Sequence, residues 1–185
     1  RALEIDEKSY GPDYPTVANR LHNLGELLYW ANRLAEAEPL YRRALEIDEK
    51  SYGPDHPHVA TDLDNLAMLL DETNRLAEAE PLYRRALEIH EKRYGPNDPS
   101  LLDYLSKLED LLRATNRLEG AEPTSRRRLE IFLTLGRAAG HPHHHLMDVA
   151  NAYAGLLVEL GVPQSEADER VKKLFEDYGV RLPDE

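Results

Sequence analysis

Cysteine is absent from the 185-residue chain, and tryptophan, phenylalanine and methionine occur one, two and two times. Without cysteine there are no disulfides, thiolate metal ligands or cysteine nucleophiles. No apolar run approaches the roughly 18 residues that a membrane-spanning helix needs, and the N-terminus carries no apolar signal segment. We therefore expect a soluble protein with no membrane partner, and we favour a cytoplasmic location.

Positive charge is also scarce, because 23 Lys and Arg residues face 35 Asp and Glu residues and give a formal net charge of −12. Nucleic-acid affinity depends largely on Lys and Arg replacing counterions on phosphates, so we expect no nucleic acid as a partner. The run Arg126-Arg127-Arg128 is too short to reverse that expectation. Hydrophobic residues make up 41% of the chain, which is enough for a packed core.

What the sequence does contain is an internal repeat of 42 residues. The string RALEI begins at residues 1, 43 and 85, and the related RRLEI begins at residue 127. Residues 1–42 and 43–84 differ at ten positions, so 42 − 10 = 32 positions are identical. The similarity decays toward the C-terminus, where three inserted residues shift the register.

Each repeat is predicted to hold two helices joined by a tight turn. In the first copy, two sets of residues at helical spacing form the two core faces. These residues are Leu21, Leu24, Gly25 and Leu28, followed by Ala37, Tyr41, Ala44 and Leu45. A left-handed residue is expected to end the first helix of each pair, at Asn32, Asn74, Asn116 and Gly161. The nine expected helices lie near residues 1–9, 15–31, 34–52, 57–73, 76–94, 99–115, 118–136, 143–160 and 164–179.

The spacing Leu21-x2-Leu24-Gly25-x2-Leu28, followed by Ala37-x3-Tyr41, resembles the tetratricopeptide repeat. The 42-residue period and the linker Tyr-Gly-Pro-Asp-His-Pro at residues 52–57 resemble, more specifically, the kinesin light chain type of that family. The resemblance implies an all-α fold, a right-handed superhelical solenoid of antiparallel helix pairs. It also implies that the first helices line a concave groove where peptides or protein segments bind.

We expect residues 1–185 to form a single solenoid of this kind. Its parts are residues 1–10 as the second helix of a truncated repeat, 15–52 as repeat 1, 57–94 as repeat 2, 99–136 as a degenerate repeat 3 and 143–180 as a divergent repeat 4. Because the chain opens in a second helix, we expect it to be a piece of a longer repeat array. Terminal repeats normally need a polar cap, so the uncapped N-terminal helix is expected to promote self-association.

The ten differences between the first two copies are confined to the first helix and its entry. Five of them lie with Asn23 on a stripe opposite the core face, whereas the polar face of the second helix, including Glu46 and Asp48, is unchanged. We interpret the stripe as a surface that reads a ligand, in preference to a solvated face that drifted. The predicted partner-binding residues are Asn19, His22, Asn23, Glu26, Tyr29, Trp30, Asp64, Asn65, Met68, Asp71, Glu72, Asp103, Lys107 and Asp110. By resemblance to the kinesin light chain type, asparagines at the places of Asn23 and Asn65 hold peptide backbones, whereas Lys107 and Ala152 depart from that pattern.

Charge and aromatic content suggest what this surface binds. Along all four repeats the stripe carries eight acids and two bases, a net of 2 − 8 = −6, which favours a basic or polar segment. Trp30, the only tryptophan, and the adjacent Tyr29 are candidate anchors. The alternative is that Trp30 packs against the turn of its own hairpin or against the next first helix.

No residue set for catalysis, a cofactor or a metal stands out. The tract His141-Pro142-His143-His144-His145 elaborates the linker sequence that already reads His-Pro-His at residues 56–58, and no well-spaced carboxylates accompany it. Phosphate-binding loops and zinc-protease or serine-hydrolase motifs are absent. We therefore predict a non-enzymatic scaffold or adaptor for protein–protein interaction. The alternative is a sensor or oligomerisation module of a larger signalling or effector protein.

The third repeat departs from the first two at two small-residue positions. Glu109 and Arg128 replace the glycine or alanine found there in the earlier copies. Either the two form an ion pair between helices, or each side chain extends separately to water. The second arrangement is the expected one, since long charged side chains usually keep their charged ends solvated.

Overall fold

The computed structural model describes residue 9 and residues 11–181. Over residues 11–181 the chain forms eight α-helices and no β-strand. The helices are α1 Pro15–Trp30, α2 Leu34–Tyr52, α3 Pro57–Glu72, α4 Leu76–Tyr94, α5 Leu101–Ala114, α6 Leu118–Ala139, α7 Leu146–Glu159 and α8 Gln164–Tyr178. The helix expected near residues 1–9, and the self-association expected from it, lie outside the described residues apart from residue 9. Two compact units divide the chain, Arg1–Arg93 and Tyr94–Glu185.

The turn between paired helices is the same in every hairpin. At the end of α1, Asn32 has φ 57°, and its N–H donates to the carbonyl of Tyr29 over 2.9 Å. The N–H of Arg33 donates to the carbonyl of Leu28 over 2.8 Å, which completes a Schellman motif. The pattern recurs at Asn74, Asn116 and Gly161. The prediction that these four residues end the first helices is confirmed.

In the Arg1–Arg93 unit, α1 packs on α2 through a small apolar core. Val17, Ala18 and Leu21 of α1 meet Ala44 and Ile47 of α2, and all five are almost fully buried. Glycine at position 25 makes room for the buried Tyr41 ring, because a Cβ atom there would lie 2.8 Å from Cε1 of that ring and would require it to shift.

The prediction that Leu24 belongs to the core is wrong. Leu24 is 39% exposed, whereas its counterpart Leu66 on α3 is 1% exposed. Helix α3 packs against the preceding helix α2, and no described helix precedes α1. The same sequence pattern therefore buries a leucine in one copy and leaves it accessible in the other.

Each linker is fastened by an arginine from the second helix that follows it. Arg43 donates from Nη2 to the carbonyl oxygen of Pro12 over 3.1 Å. The equivalent bonds join Arg85 to Pro54 and Arg127 to Pro96, also at 3.1 Å. Three identical bonds at a 42-residue interval show that the sequence repeat is also a repeat of tertiary contacts.

In the Tyr94–Glu185 unit, α6, α7 and α8 enclose one apolar core. Beside it, Arg128 Nη1 lies 2.7 Å from Oε2 of Glu109, which is only 3% exposed. The expectation that these side chains extend separately to water is therefore wrong. Both positions face the interior of the α5–α6 hairpin, so Glu109 cannot reach solvent and is paired instead.

Candidate binding surface

The predicted stripe on α1 is accessible along its whole length. Asn19, Asn23 and Glu26 are exposed, while His22 and Tyr29 are partly exposed. None of them takes part in the apolar core between α1 and α2. The sequence pattern therefore separated the core face of α1 from its polar face correctly at these positions.

Trp30 is displayed at the C-terminal end of this stripe. It is 74% exposed, and its ring packs edge-on against Tyr29 at a centroid distance of 5.4 Å. The alternative in which Trp30 packs into its own turn or the next first helix does not describe this structure. A large aromatic side chain supported by a neighbour and open to solvent is suited to anchoring a ligand.

The stripe on α3 adjoins the stripe on α1. Asp64, Asn65, Met68 and Asp71 are partly exposed, and Glu72 is exposed. The two helices are joined at the surface by Asn65 Nδ2, which lies 3.3 Å from His22 Nε2. The candidate residues of α1 and α3 therefore form one continuous surface within the Arg1–Arg93 unit.

Beneath this surface lies a buried pair of acidic side chains, Asp48 and Asp62. Asp48 of α2 was assigned to a solvated face, yet it is 4% exposed, and Asp62 of α3 is 2% exposed. Asp62 Oδ1 lies 3.1 Å from His22 Nδ1, and this hydrogen bond, opposed by burial, raises the pKa of His22. Burial and the nearby Asp62 raise the pKa of Asp48 to about 7. A helical wheel of α2 cannot reveal this burial, because it results from the approach of α3.

One signal in the sequence could have identified Asp62. The position of Asp62 in the second copy is occupied by Arg20 in the first, and the position of His22 in the first copy is occupied by Asp64 in the second. Two changes of charge only two residues apart suggest a compensating contact between neighbouring repeats. The structure shows that His22 and Asp62, the two members from different copies, are in contact.

Three of the predicted partner-binding residues lie on α5 in the Tyr94–Glu185 unit. Asp103 and Asp110 of α5 are exposed. Lys107 Nζ lies 2.6 Å from Asp103 Oδ2. Desolvation of the Asp110 carboxyl group and the adjacent Glu109 raise the pKa of Asp110.

The acidic excess of the stripe is unequal in the two units. In the Arg1–Arg93 unit it has four acids and no base, a formal charge of −4. These are Glu26, Asp64, Asp71 and Glu72. In the Tyr94–Glu185 unit it has four acids and two bases, −4 + 2 = −2, and both bases form ion pairs with stripe acids, Lys107 with Asp103 and Arg113 with Glu159. The attraction for a basic segment is therefore greater on the α1–α3 surface.

The histidine tract adds no metal-binding geometry. His143 and His144 stack at a centroid distance of 4.3 Å. Desolvation, and to a smaller extent the neighbouring histidines, lower the pKa of His143. Within residue 9 and residues 11–181, no group of three or more His, Asp or Glu side chains is arranged to hold a metal ion. In the same part of the chain, no helix is both long and apolar enough to cross a membrane.

The sequence matches a known family of repeat proteins. The tetratricopeptide repeat family model matches residues 1–50, 20–92 and 73–134, and these matches together span residues 1–134. The chain therefore belongs to the tetratricopeptide repeat family, and its fold is an all-α solenoid of that kind. This repeat is generally a non-enzymatic scaffold for protein–protein interaction. No match was found among curated proteins.

Solved structures of other repeat proteins share this fold. The chain is similar to the kinesin light chain-like protein of Podosopora anserina with nearly identical TPR-like repeats, with a TM-score of 0.74 and 19% identity over 93% of this chain and 81% of that one. A point variant of that protein gives a TM-score of 0.74 and 18% identity over 95% and 82%. BtubC (BKLC) from P. vanneervenii gives 0.71 and 20% over 93% and 68%. The predicted tetratricopeptide repeat family is confirmed, and the fold is shared with a kinesin light chain-like protein.

Proposed function

We propose that the chain is a non-enzymatic adaptor that binds a basic or polar peptide segment on the surface formed by α1 and α3. The observation that carries this proposal is the contact between His22 and Asn65, which joins the two variable stripes into one accessible surface. The second helices that follow them, α2 and α4, differ at only two positions, Asp48 against His90 and Ser51 against Arg93. Variation concentrated on one continuous, solvent-facing surface is expected where a duplicated scaffold has come to contact different parts of a ligand.

The side chains of this surface supply three kinds of recognition. Trp30 offers an exposed apolar anchor. Asn23 and Asn65 carry amide groups that can both donate to and accept from a peptide backbone. The four carboxylates attract basic side chains and speed up encounter with them.

Fluorescence anisotropy with a labelled lysine-rich peptide tests the proposal, with a glutamate-rich peptide of equal length as the comparison. We expect the lysine-rich peptide to bind, and its affinity to fall with added salt, because exposed charges are screened within about 8 Å at physiological ionic strength. Replacing Trp30 by alanine should cost about 2 kcal/mol of binding free energy, as for other interface anchors. That loss corresponds to about a thirtyfold rise in Kd.

Control substitutions show whether a loss of peptide binding is specific to the α1–α3 surface. Tyr52→Ala removes another exposed aromatic ring, at the end of α2, and should leave Kd unchanged. Charge reversal by Asp64→Lys and Glu72→Lys should weaken binding, whereas Glu46→Lys on the exposed side of α2 should not. These surface changes should alter the free energy of unfolding by no more than about 0.5 kcal/mol. Unchanged binding in the Asp64 and Glu72 double variant and in Trp30→Ala would place the site elsewhere.

A further inference from the structure

A chain of polar contacts runs from the interior of the Arg1–Arg93 unit to the candidate surface. Its inner members, Asp48 and Asp62, are 4% and 2% exposed. Asp62 Oδ1 lies 3.1 Å from His22 Nδ1, and His22 Nε2 lies 3.3 Å from Asn65 Nδ2. Asn65 is the outermost member and is partly exposed. The chain therefore connects a buried carboxylate pair from α2 and α3 to an amide at the surface.

The chemistry of the inner groups fixes where the hydrogens lie. Asp62 accepts at Oδ1, so the Nδ1 atom of His22 carries the proton that is donated to it. The second oxygen, Asp62 Oδ2, is buried and has no hydrogen-bond partner within the described part of the chain. Asp48 supplies the missing donor when it is protonated, and burial together with the Asp62 carboxylate raises the pKa of Asp48 to about 7. Asp62 Oδ1 faces the ring at 3.1 Å whether or not Asp48 is protonated, so Nδ1 of His22 keeps its proton.

The remaining ring nitrogen, Nε2 of His22, faces Asn65. In neutral His22 with the proton on Nδ1, Nε2 can only accept, so the Asn65 NH2 group turns toward it and the amide oxygen faces away. In protonated His22, Nε2 also carries a proton and can only donate, so the amide oxygen turns toward the ring. The protonation state of one partly buried ring thus decides which end of the Asn65 amide is presented to solvent.

We propose that Asp48, Asp62 and His22 are positioning residues for Asn65, which hold its amide oxygen outward toward the N–H of a bound backbone while His22 is neutral and reverse the amide when His22 gains a proton. This inference rests on the proposed function, because Asn65 matters here as a residue that contacts the bound segment. The surrounding groups are consistent with such a device. Glu26 on α1, Asp48 on α2 and Asp62 on α3 all favour the charged ring, and burial opposes them. The Tyr41 ring of α2 packs edge-on against His22 at a centroid distance of 6.0 Å.

Nuclear magnetic resonance of the 15N-labelled full chain tests the proposal without any binding partner, so its failure is distinguishable from failure of peptide binding. The chain is titrated across the ordinary histidine pKa of about 6.5. We expect the His22 ring to show the Nδ1–H tautomer at high pH. The side-chain NH2 signals of Asn65 should shift with the same midpoint as the His22 ring. An Nε2–H tautomer at high pH, or Asn65 signals that ignore the His22 titration, would overturn the proposal.

A substitution of similar shape provides the second measurement. In Asp62→Asn the new amide can donate to Nδ1 of His22, which stabilises the Nε2–H tautomer without adding charge. We expect the Asn65 signals of this variant at high pH to resemble those of the wild type at low pH. Signals that keep the wild-type high-pH positions would contradict the proposal. Glu46→Gln, which removes an exposed carboxylate from α2, should leave the titration unchanged. If Asp62→Asn does not fold, the wild-type titration decides alone.

Discussion

The ion pair between Glu109 and Arg128 offers a sharp test of how the third repeat is stabilised. In the second repeat the corresponding positions are Ala67 and Ala86. In the first repeat the Tyr41 ring packs closely against Gly25, at the position of Glu109. The third repeat replaces that tyrosine by Ser125, which is 1% exposed. We infer that the charged pair occupies the space that the lost tyrosine ring would fill.

Removing the cation should therefore be costly. Glu109 is 3% exposed, and Arg128→Ala would leave its carboxylate buried without its partner at 2.7 Å. Breaking a buried pair in this way costs about 3–5 kcal/mol. Arg113 Nη1 remains 4.0 Å from Glu109 Oε1, so we expect the lower end, about 3 kcal/mol. For a chain of this size that loss lowers Tm by about 6–12 °C.

The rescue variant makes this reasoning refutable. Glu109→Ala, Ser125→Tyr and Arg128→Ala together recreate the packing of the second repeat, and should restore the free energy of unfolding to within about 1 kcal/mol of the wild type. Urea unfolding followed by circular dichroism measures all the variants. Glu109→Ala with Arg128→Ala but without Ser125→Tyr should stay less stable, because it leaves a cavity. A loss below about 1 kcal/mol in Arg128→Ala, or no recovery in the triple variant, would refute the account.

Three further predictions concern single positions. Arg85→Met removes the hydrogen bond to the Pro54 carbonyl and the ion pair with Glu49. It should lower the free energy of unfolding by about 1–2 kcal/mol in urea unfolding, because both interactions are partly exposed. Burial and the Asp62 carboxylate raise the pKa of folded Asp48 to about 7, so stability from its bound proton is present below about pH 4 and lost as the pH rises to about 7. Chemical denaturation across that range should therefore show the advantage of wild type over Asp48→Asn shrinking. Gly155→Ala, at an exposed helical position with no atom within 4 Å of the added Cβ, should raise Tm through about 0.5–1 kcal/mol of helix propensity.

Most of the fold could be predicted because the same turn residues and the same helical pattern occur in several copies. Asparagine at one fixed place in three copies located the turns, and the structure gives Asn32, Asn74 and Asn116 φ values of 57°, 58° and 56°. Helix α2 was placed at both of its observed ends, Leu34 and Tyr52. These features depend on contacts within about five residues, which a single sequence displays directly.

The errors arose where burial depends on a neighbouring helix. Leu24 has the same helical position as Leu66 but no described helix in front of it, and Asp48 becomes buried only when α3 packs against α2. The hydrophobic periodicity of one helix therefore cannot predict whether Leu24 or Asp48 is buried. The binding role of the stripe remains a prediction for a related reason, since exposure of Trp30 shows an available side chain and a ligand is needed to show its use.

The contact between His22 and Asp62 also bears on how such a gene can change its number of repeats. A chain lengthened by another copy of residues 43–84 would set Asp64 in the place of His22, facing Asp48 and Asp62 across the new junction. Three carboxylates would then share a buried site with no imidazole to donate to them, which is unfavourable for the folded state. The contact between His22 and Asp62 therefore makes the order of the copies matter for stability, although their sequences alone are nearly interchangeable.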